Sequence, residues 1–508
     1  MSLSRLWLDW VDRILSGNVV VGAGHAEILA APAPHALVLG FGGNDQLTSS
    51  FDQTILSGGL GDDTLTTSYS IDSSGEPVHA LATQFGNAGD DTLRTDVMVA
   101  GSTAPFGTLL NIDVLLDAGS GNDVINARVA TGLNFGETSL RNLIYAGAGD
   151  DTVEAVADTT GSIDNSTATN IVHAGRGNDL VSAVATTDLA GLVSSAFNVL
   201  TGGYGDDELE AKAVAQSNTP DTASNFLSGG NGNDILRAEN ETDSNFGAPI
   251  GINELQGGDG DDTLFASQLT DGENAVTDVT NLLDGGAGSD HLQASSQALG
   301  QTVYALNQLT GGRGSDSLTA NLTAEAYTGD LAVSNVLDGG AGNDRLDAFL
   351  SAAVLSEGAS AHAENRLTGG AGNDILMATV AAGSIGSSFL EGGTGDDELI
   401  ALGESNDLLI GGSGADTFRL DVAQFQGSDT IADFEFGSDL LSFTGLTDTG
   451  VAGLVDDLDA ISSFTQTGTD LTVTLKSGSE FVFAGLGNSG IESWVGIVSD
   501  PASQILIA

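Results

Sequence analysis

A block of glycines and acidic residues recurs at near-constant spacing through most of this chain. Its form is Gly-Gly-x-Gly-(Asn/Asp)-Asp-x-(Leu/Ile/Val), as in Gly58-Gly59-Leu60-Gly61-Asp62-Asp63-Thr64-Leu65. Counted by its last acidic residue, the block stands at Asp45, Asp63, Asp91, Asp123, Asp151, Asp179, Asp207, Asp234, Asp262, Asp290, Asp316, Asp344, Asp374, Asp397 and Asp416, and seven of the fourteen intervals are 28 residues. A fixed period of about 20–50 residues constrains a chain to stacked coils, because each unit can bury its apolar side only against its neighbours.

Two further ladders keep the same register. Asn142, Asn170, Asn198, Asn225, Asn253, Asn281, Asn307, Asn335 and Asn365 precede the glycines. Each is followed two residues later by an aliphatic residue, from Ile144 and Val172 to Leu367. Residues i and i+2 of a strand share a face, so an inward aliphatic residue carries an inward Asn with it. A buried amide is costly unless hydrogen-bonded, and identical amides stacked in register can satisfy one another. After each turn, an apolar residue two past the Asp and an alanine four past it (Ala127, Ala155, Ala183, Ala211) repeat the alternation. The fold class expected is all-β: a right-handed parallel β-solenoid (β-roll or β-helix) of about 28 residues per coil. Fifteen such turns would make a rod on the order of 65–70 Å long.

Composition excludes several functions. The 508 residues include 70 Asp and Glu against 13 Lys and Arg, a formal net charge of −57, so neither nucleic acid nor an anionic membrane is held by charge. Cysteine is absent, which removes disulfides, thiolate metal sites and a Cys nucleophile. Yet 40% of residues are hydrophobic, too many for a disordered acidic chain. No apolar run is long enough for a transmembrane helix.

The turn itself suggests a hard cation. Glycines permit positive φ and expose carbonyl oxygens, and a fixed Asp adds a carboxylate. Oxygen ligands without His or Cys suit Ca²⁺ better than zinc or copper. A cation between successive turns would also relieve their mutual repulsion, with room for up to about 14 ions between the fifteen turns.

The nonapeptide resembles the RTX (hemolysin-type) calcium-binding repeat, across roughly residues 40–485. The resemblance implies a parallel β-roll in which the sixth-position Asp gives side-chain oxygen and the glycine turn gives carbonyls; that role falls on the fifteen Asp residues named above. The chain departs from the family pattern, in which nine-residue repeats put ion-binding turns on both edges. Here each 28-residue coil has one such turn, so one row of calcium along one edge is expected. Several copies are degraded. Phe41 and Asn87 replace a glycine, Ala118, Ala146 and Ala174 replace the first glycine, and Ser289 and Ser315 replace the fifth residue. The Gly403–Asp407 copy is incomplete and is not counted.

Toward the end, Gly427-Ser428-Asp429 and Gly437-Ser438-Asp439 precede the alternating runs 470–475 and 480–483. This segment is similar to the closing domain of serralysin-type secreted proteases, which implies export through a type I secretion apparatus by an uncleaved C-terminal signal. At the other end, Leu3, Leu6, Trp7, Trp10, Val11 and Ile14 follow helical spacing, and a cap over the open end of the solenoid is expected there, docking to a partner or surface through the two Trp being the alternative. Three regions result: 1–39, an amphipathic helix and first cap coil; 40–402, the calcium-binding solenoid; and 403–508, the secretion domain.

Catalytic motifs are sparse. None of the six histidines belongs to a His-Glu-x-x-His motif, and the Gly485–Gly490 glycine pattern precedes no adequate helix. The expectation is a non-enzymatic, secreted or cell-surface protein of surface-layer, matrix or adhesin type whose folding is coupled to Ca²⁺, with self-assembly or a cell-surface glycan as possible partnerships. The alternative is a carbohydrate-active lyase or epimerase on a β-solenoid, whose site would combine residues across coils. Ice binding would need a regular outward threonine array, which the varied third turn position (Leu60, Arg176, Tyr204, Asp259) does not provide.

Overall fold

In the computed structural model the alternating segments are strands, and strands of successive coils pair in parallel. The structure describes residues 18–72, 77–100, 109–132, 136–162, 164–188, 193–217, 221–244, 247–356, 359–403, 405–425, 427–435, 437–444, 461–467, 469–475, 480–486 and 504–507. The protein is an all-β parallel β-solenoid of about eleven turns spaced about 28 residues apart. No helix among the described residues is long and apolar enough to cross a membrane. The expected N-terminal helix, residues 2–15, lies outside the described residues.

Contacts divide the fold into two units, Met1–Asp259 with Gln268–Ala275, and Gly260–Ser267 with Val276–Ala508. In the first, the strand Thr138–Ala148 pairs with Ser166–Arg176, which pairs with Ser194–Tyr204, so that Asn142, Asn170 and Asn198 stand side by side. Leu47, Leu65, Leu93, Ile125, Val181 and Leu209 form one fully buried column, and Leu116, Ile144, Val172 and Leu200 form another. Each coil thus closes its own slice of core, and stacking removes the remaining apolar edge from water. In the second unit, Leu292, Leu318, Leu346, Leu376, Leu399 and Phe418 continue the same inward position, with Val303, Leu322, Leu331 and Leu350 among a further buried cluster.

The amide ladder forms as the spacing predicts. Asn142 Nδ2 donates to Asn170 Oδ1 at 2.8 Å, Asn170 to Asn198 at 2.9 Å and Asn198 to Asn225 at 2.8 Å. In the second unit the series Asn281, Asn307, Asn335, Asn365 repeats it at 2.9 Å per step. The second proton of each amide crosses the coil to a carbonyl on the outgoing strand, such as Val156, Val184 and Lys212. Ala155, Ala183 and Ala211, next in sequence to these carbonyls, are buried on the same outgoing strands. The asparagine column is therefore a polar seam inside an apolar coil whose amides satisfy one another, with Asn142 Oδ1 left without a partner where the ladder begins.

The last strands change pattern. Asp470–Leu475 pairs antiparallel with both Ile461–Thr467 and Glu480–Phe483, while Gln504–Ile507 joins Leu440–Thr444 in parallel.

Candidate metal-binding edge

The glycine blocks stack into one continuous edge within each unit. Their second and fourth positions hold positive φ, for example 121° at Gly147 and 134° at Gly149. A Cβ on Gly121 would fall on the Gly89 carbonyl of the preceding coil, so backbone meets backbone there with no room for a side chain. Phe41 and Asn87 occupy the same left-handed region at φ 75° and 83°. Asn87 offsets this locally, its amide donating to the Gly86 carbonyl at 2.8 Å.

Two side-chain ladders fasten the turns, and they run in opposite directions. Anchor Asp residues accept, through Oδ1, the backbone N–H of the anchor Asp in the preceding coil, as in Asp63 N–H to Asp91, Asp91 N–H to Asp123 and Asp123 N–H to Asp151, at 2.7, 2.7 and 2.8 Å; the first, Asp45, accepts Glu27 N–H at 2.8 Å. The residue just before the anchor accepts from the following coil instead, as in Asp150 N–H to Asn122 and Asn178 N–H to Asp150, at 2.9 and 2.8 Å. Ser289 and Ser315, degraded by motif, keep this role: their hydroxyls accept from Ser315 N–H at 3.3 Å and Asn343 N–H at 3.2 Å. At Ala118, Ala146 and Ala174 the anchor ladder is likewise unbroken.

Within the two units the structure places all fifteen predicted Asp residues on these turn edges, each at most 3% exposed. In twelve of them the second carboxylate oxygen has no equivalent partner. Oδ2 of Asp45, Asp63, Asp91, Asp123, Asp151, Asp179, Asp207, Asp290, Asp316, Asp344, Asp374 and Asp397 is buried and accepts no hydrogen bond. At Gly202, both Asp207 Oδ2 and the Gly229 carbonyl oxygen of the next coil lie within 2.8 Å of the point a Cβ would occupy. Asp316 with Gly339, at Gly311, shows the same juxtaposition. Two acceptors face one small space with no donor between them, an arrangement that a proton or a cation would relieve.

Electrostatics agree. Burial, against the lowering effect of the backbone hydrogen bond and reinforced by neighbouring carboxylates, pushes Asp91, Asp123, Asp151, Asp207 and Asp397 up to about 7. Asp63, Asp179, Asp290, Asp344 and Asp416 rise to about 6, and Asp234, Asp316 and Asp374 also rise, burial being the largest cause throughout. Among the described residues, no three His, Asp or Glu side chains converge on one point. The donor set that fits a cation is therefore anchor carboxylates with backbone carbonyls, a hard-oxygen set of the kind Ca²⁺ accepts.

The sequence reading missed three residues. Asp407, left uncounted, accepts Ser388 N–H at 2.6 Å and donates its own N–H to Asp429 at 2.9 Å. Ser428 N–H bonds Asn406 Oδ1 at 2.8 Å beside Gly427 at φ 138°. This reproduces the anchor arrangement on the opposite side of the coil, so the expectation of one such turn per coil fails from Ser388 onward. Asp429 rises to about 8 through burial and the nearby Asp407 charge. Asp439 extends the first edge, accepting Asp416 N–H at 3.1 Å. The signal was present: Asp407 to Asp429 is 22 residues and Asp416 to Asp439 is 23, the shortened spacing of the final coils.

A scan of known families matches the RTX calcium-binding nonapeptide repeat (4 copies) at residues 141–157, 221–244, 250–268, 334–349, 364–379 and 382–418. No curated protein matches the chain. The chain carries RTX calcium-binding repeats on a parallel β-solenoid.

Proposed function

We propose that this is a secreted, non-enzymatic structural or cell-surface protein, of surface-layer, matrix or adhesin type, in which calcium binding drives folding. The column of buried anchor carboxylates with an unpartnered Oδ2 supports this reading. Without a counter-ion, each added coil adds a desolvated charge beside those already stacked. The anchor Asp residues and turn carbonyls would hold Ca²⁺, which supplies the positive charge the edge lacks, so that binding free energy becomes folding free energy. An unstacked chain in low calcium also suits passage through a type I secretion apparatus, and Gly427–Ser442 with the strands behind it would form the secretion domain. The anchor carboxylates are engaged by neighbouring turns rather than lining a cleft, which favours scaffold over catalyst.

Far-UV circular dichroism at pH 8, in millimolar calcium and after exhaustive chelation, tests the coupling. Loss of the β signal on chelation and its return on adding calcium are expected. A β signal indifferent to calcium would refute the reading.

A further inference from the structure

On the outward face of the first unit a slot of about 220 Å³ opens between two columns of side chains. One wall is Arg94, Asn126 and Glu154, adjacent in register on the strands Thr92–Ala100, Val124–Thr131 and Thr152–Asp158. The other is Asp96, Arg128 and Val156 on the same strands. Neighbours along each wall are about 4.8 Å apart. Arg128 Nη1 lies 3.6 Å from Asp96 Oδ1, while among the described residues no acid pairs with Arg94 and no base with Glu154.

We propose that this slot binds a neutral pyranose residue of a glycan. Its two cations and two anions cancel, so no charge on the ligand is needed, and the −57 of the chain disfavours an acidic polysaccharide. Guanidinium groups only donate, carboxylates only accept, and the Asn126 amide does both. Such an alternating row matches vicinal hydroxyls, each of which donates and accepts. Val156 offers an apolar surface to the C–H face of the ring. The volume suits one ring rather than a drug-sized ligand, whose pockets span about 300–1,000 Å³. The slot deepens the surface-protein reading by naming a partner class, but binding can be measured whatever the biological role.

The experiment is calorimetric titration of the full chain in millimolar calcium, folding being checked by circular dichroism. The probes are neutral gluco-, galacto- and manno-oligosaccharides, with uronate oligosaccharides as the charged comparison. Saturable binding of at least one neutral oligosaccharide is expected. Arg94→Ala and Asn126→Ala should weaken it at least tenfold with an unchanged β signal. Glu210→Ala, outward-facing on the strand Glu208–Ser217 and outside the slot, should leave it intact. Absence of neutral-sugar binding by the folded wild type overturns the proposal, as does preference for uronates. Full affinity in both slot variants would overturn it too. Because these measurements are made in calcium on folded protein, their failure is separate from failure of the chelation test.

Discussion

Replacing Asp151 by Asn isolates the buried charge. Asn retains the oxygen that accepts Asp123 N–H at 2.8 Å, and exchanges the unpartnered Oδ2 for a neutral NH₂. Burial raises Asp151 from 3.8 to about 7 in the fold. A raised carboxylate pKa is a destabilisation: absent below the unfolded value, growing through the interval and complete above about 7. At about 1.4 kcal/mol per pKa unit the shift corresponds to about 4 kcal/mol, or about 2 once water at the turn's rim is allowed for. Calcium-free Asp151→Asn should therefore be about 2 kcal/mol more stable than wild type at pH 8. At pH 5, still above the sequence pI of 4.1, under half of that gain should remain. In saturating calcium at pH 8 the order should reverse, because the variant has lost a ligand. The assay is urea unfolding in chelator, followed by circular dichroism, with enough sucrose to keep the wild type partly folded. An equal gain at pH 5 and pH 8, or a loss at pH 8 in chelator, would refute the argument.

Other substitutions probe the scaffold. Asn198→Ala strands the Lys212 carbonyl, Asn225 Oδ1 and the Asn170 amide at once, and should lower stability in calcium by about 3–5 kcal/mol in chemical denaturation. Gly121→Ala drives a methyl group into the Gly89 carbonyl at φ 129°, and should cost about 3 kcal/mol or more, seen as a lower thermal midpoint in calcium. Phe41→Gly relieves a bulky residue at φ 75° that is 56% exposed, and should raise stability by about 1 kcal/mol in the same assay.

Much of this was legible in the sequence because the fold is periodic. The inward Asn column followed from its two-residue offset to Ile144, Val172 and Leu200, and the anchor Asp edge followed from the repeat itself. Motif matching misjudged what each copy must supply. Ser289 and Ser315 looked degraded, yet their position needs only an oxygen acceptor, and a hydroxyl provides one. Asp407 looked incomplete because its turn sits on the opposite side of the coil, where no 28-residue partner precedes it. The slot between Arg94 and Glu154 was out of reach, because its walls exist only once coils of 32 and 28 residues are stacked in register.

The chain's own repeats supply the strongest argument for a cation. Three positions per coil place a side-chain oxygen where it accepts a hydrogen bond from a neighbouring coil. The inward strand position is Asn from Asn142 through Asn365, buried and fully neutral. The position before the anchor is exposed and varies among Asn44, Asp62, Asn122, Ser289 and Ser315, all of them acceptors, and is Ala415 in the last copy, so no one residue is required there. The anchor is buried like the first and has the accepting role of the second, yet it is Asp in all fifteen copies. Asn would make the same hydrogen bond without a desolvated charge. A buried position that takes the more costly residue every time is using the charge itself. At Asp91, Asp123, Asp151, Asp207 and Asp397 a proton would neutralise it only below about pH 7, where Asn would serve equally well. A divalent cation is the counter-charge that makes Asp the better choice above that pH.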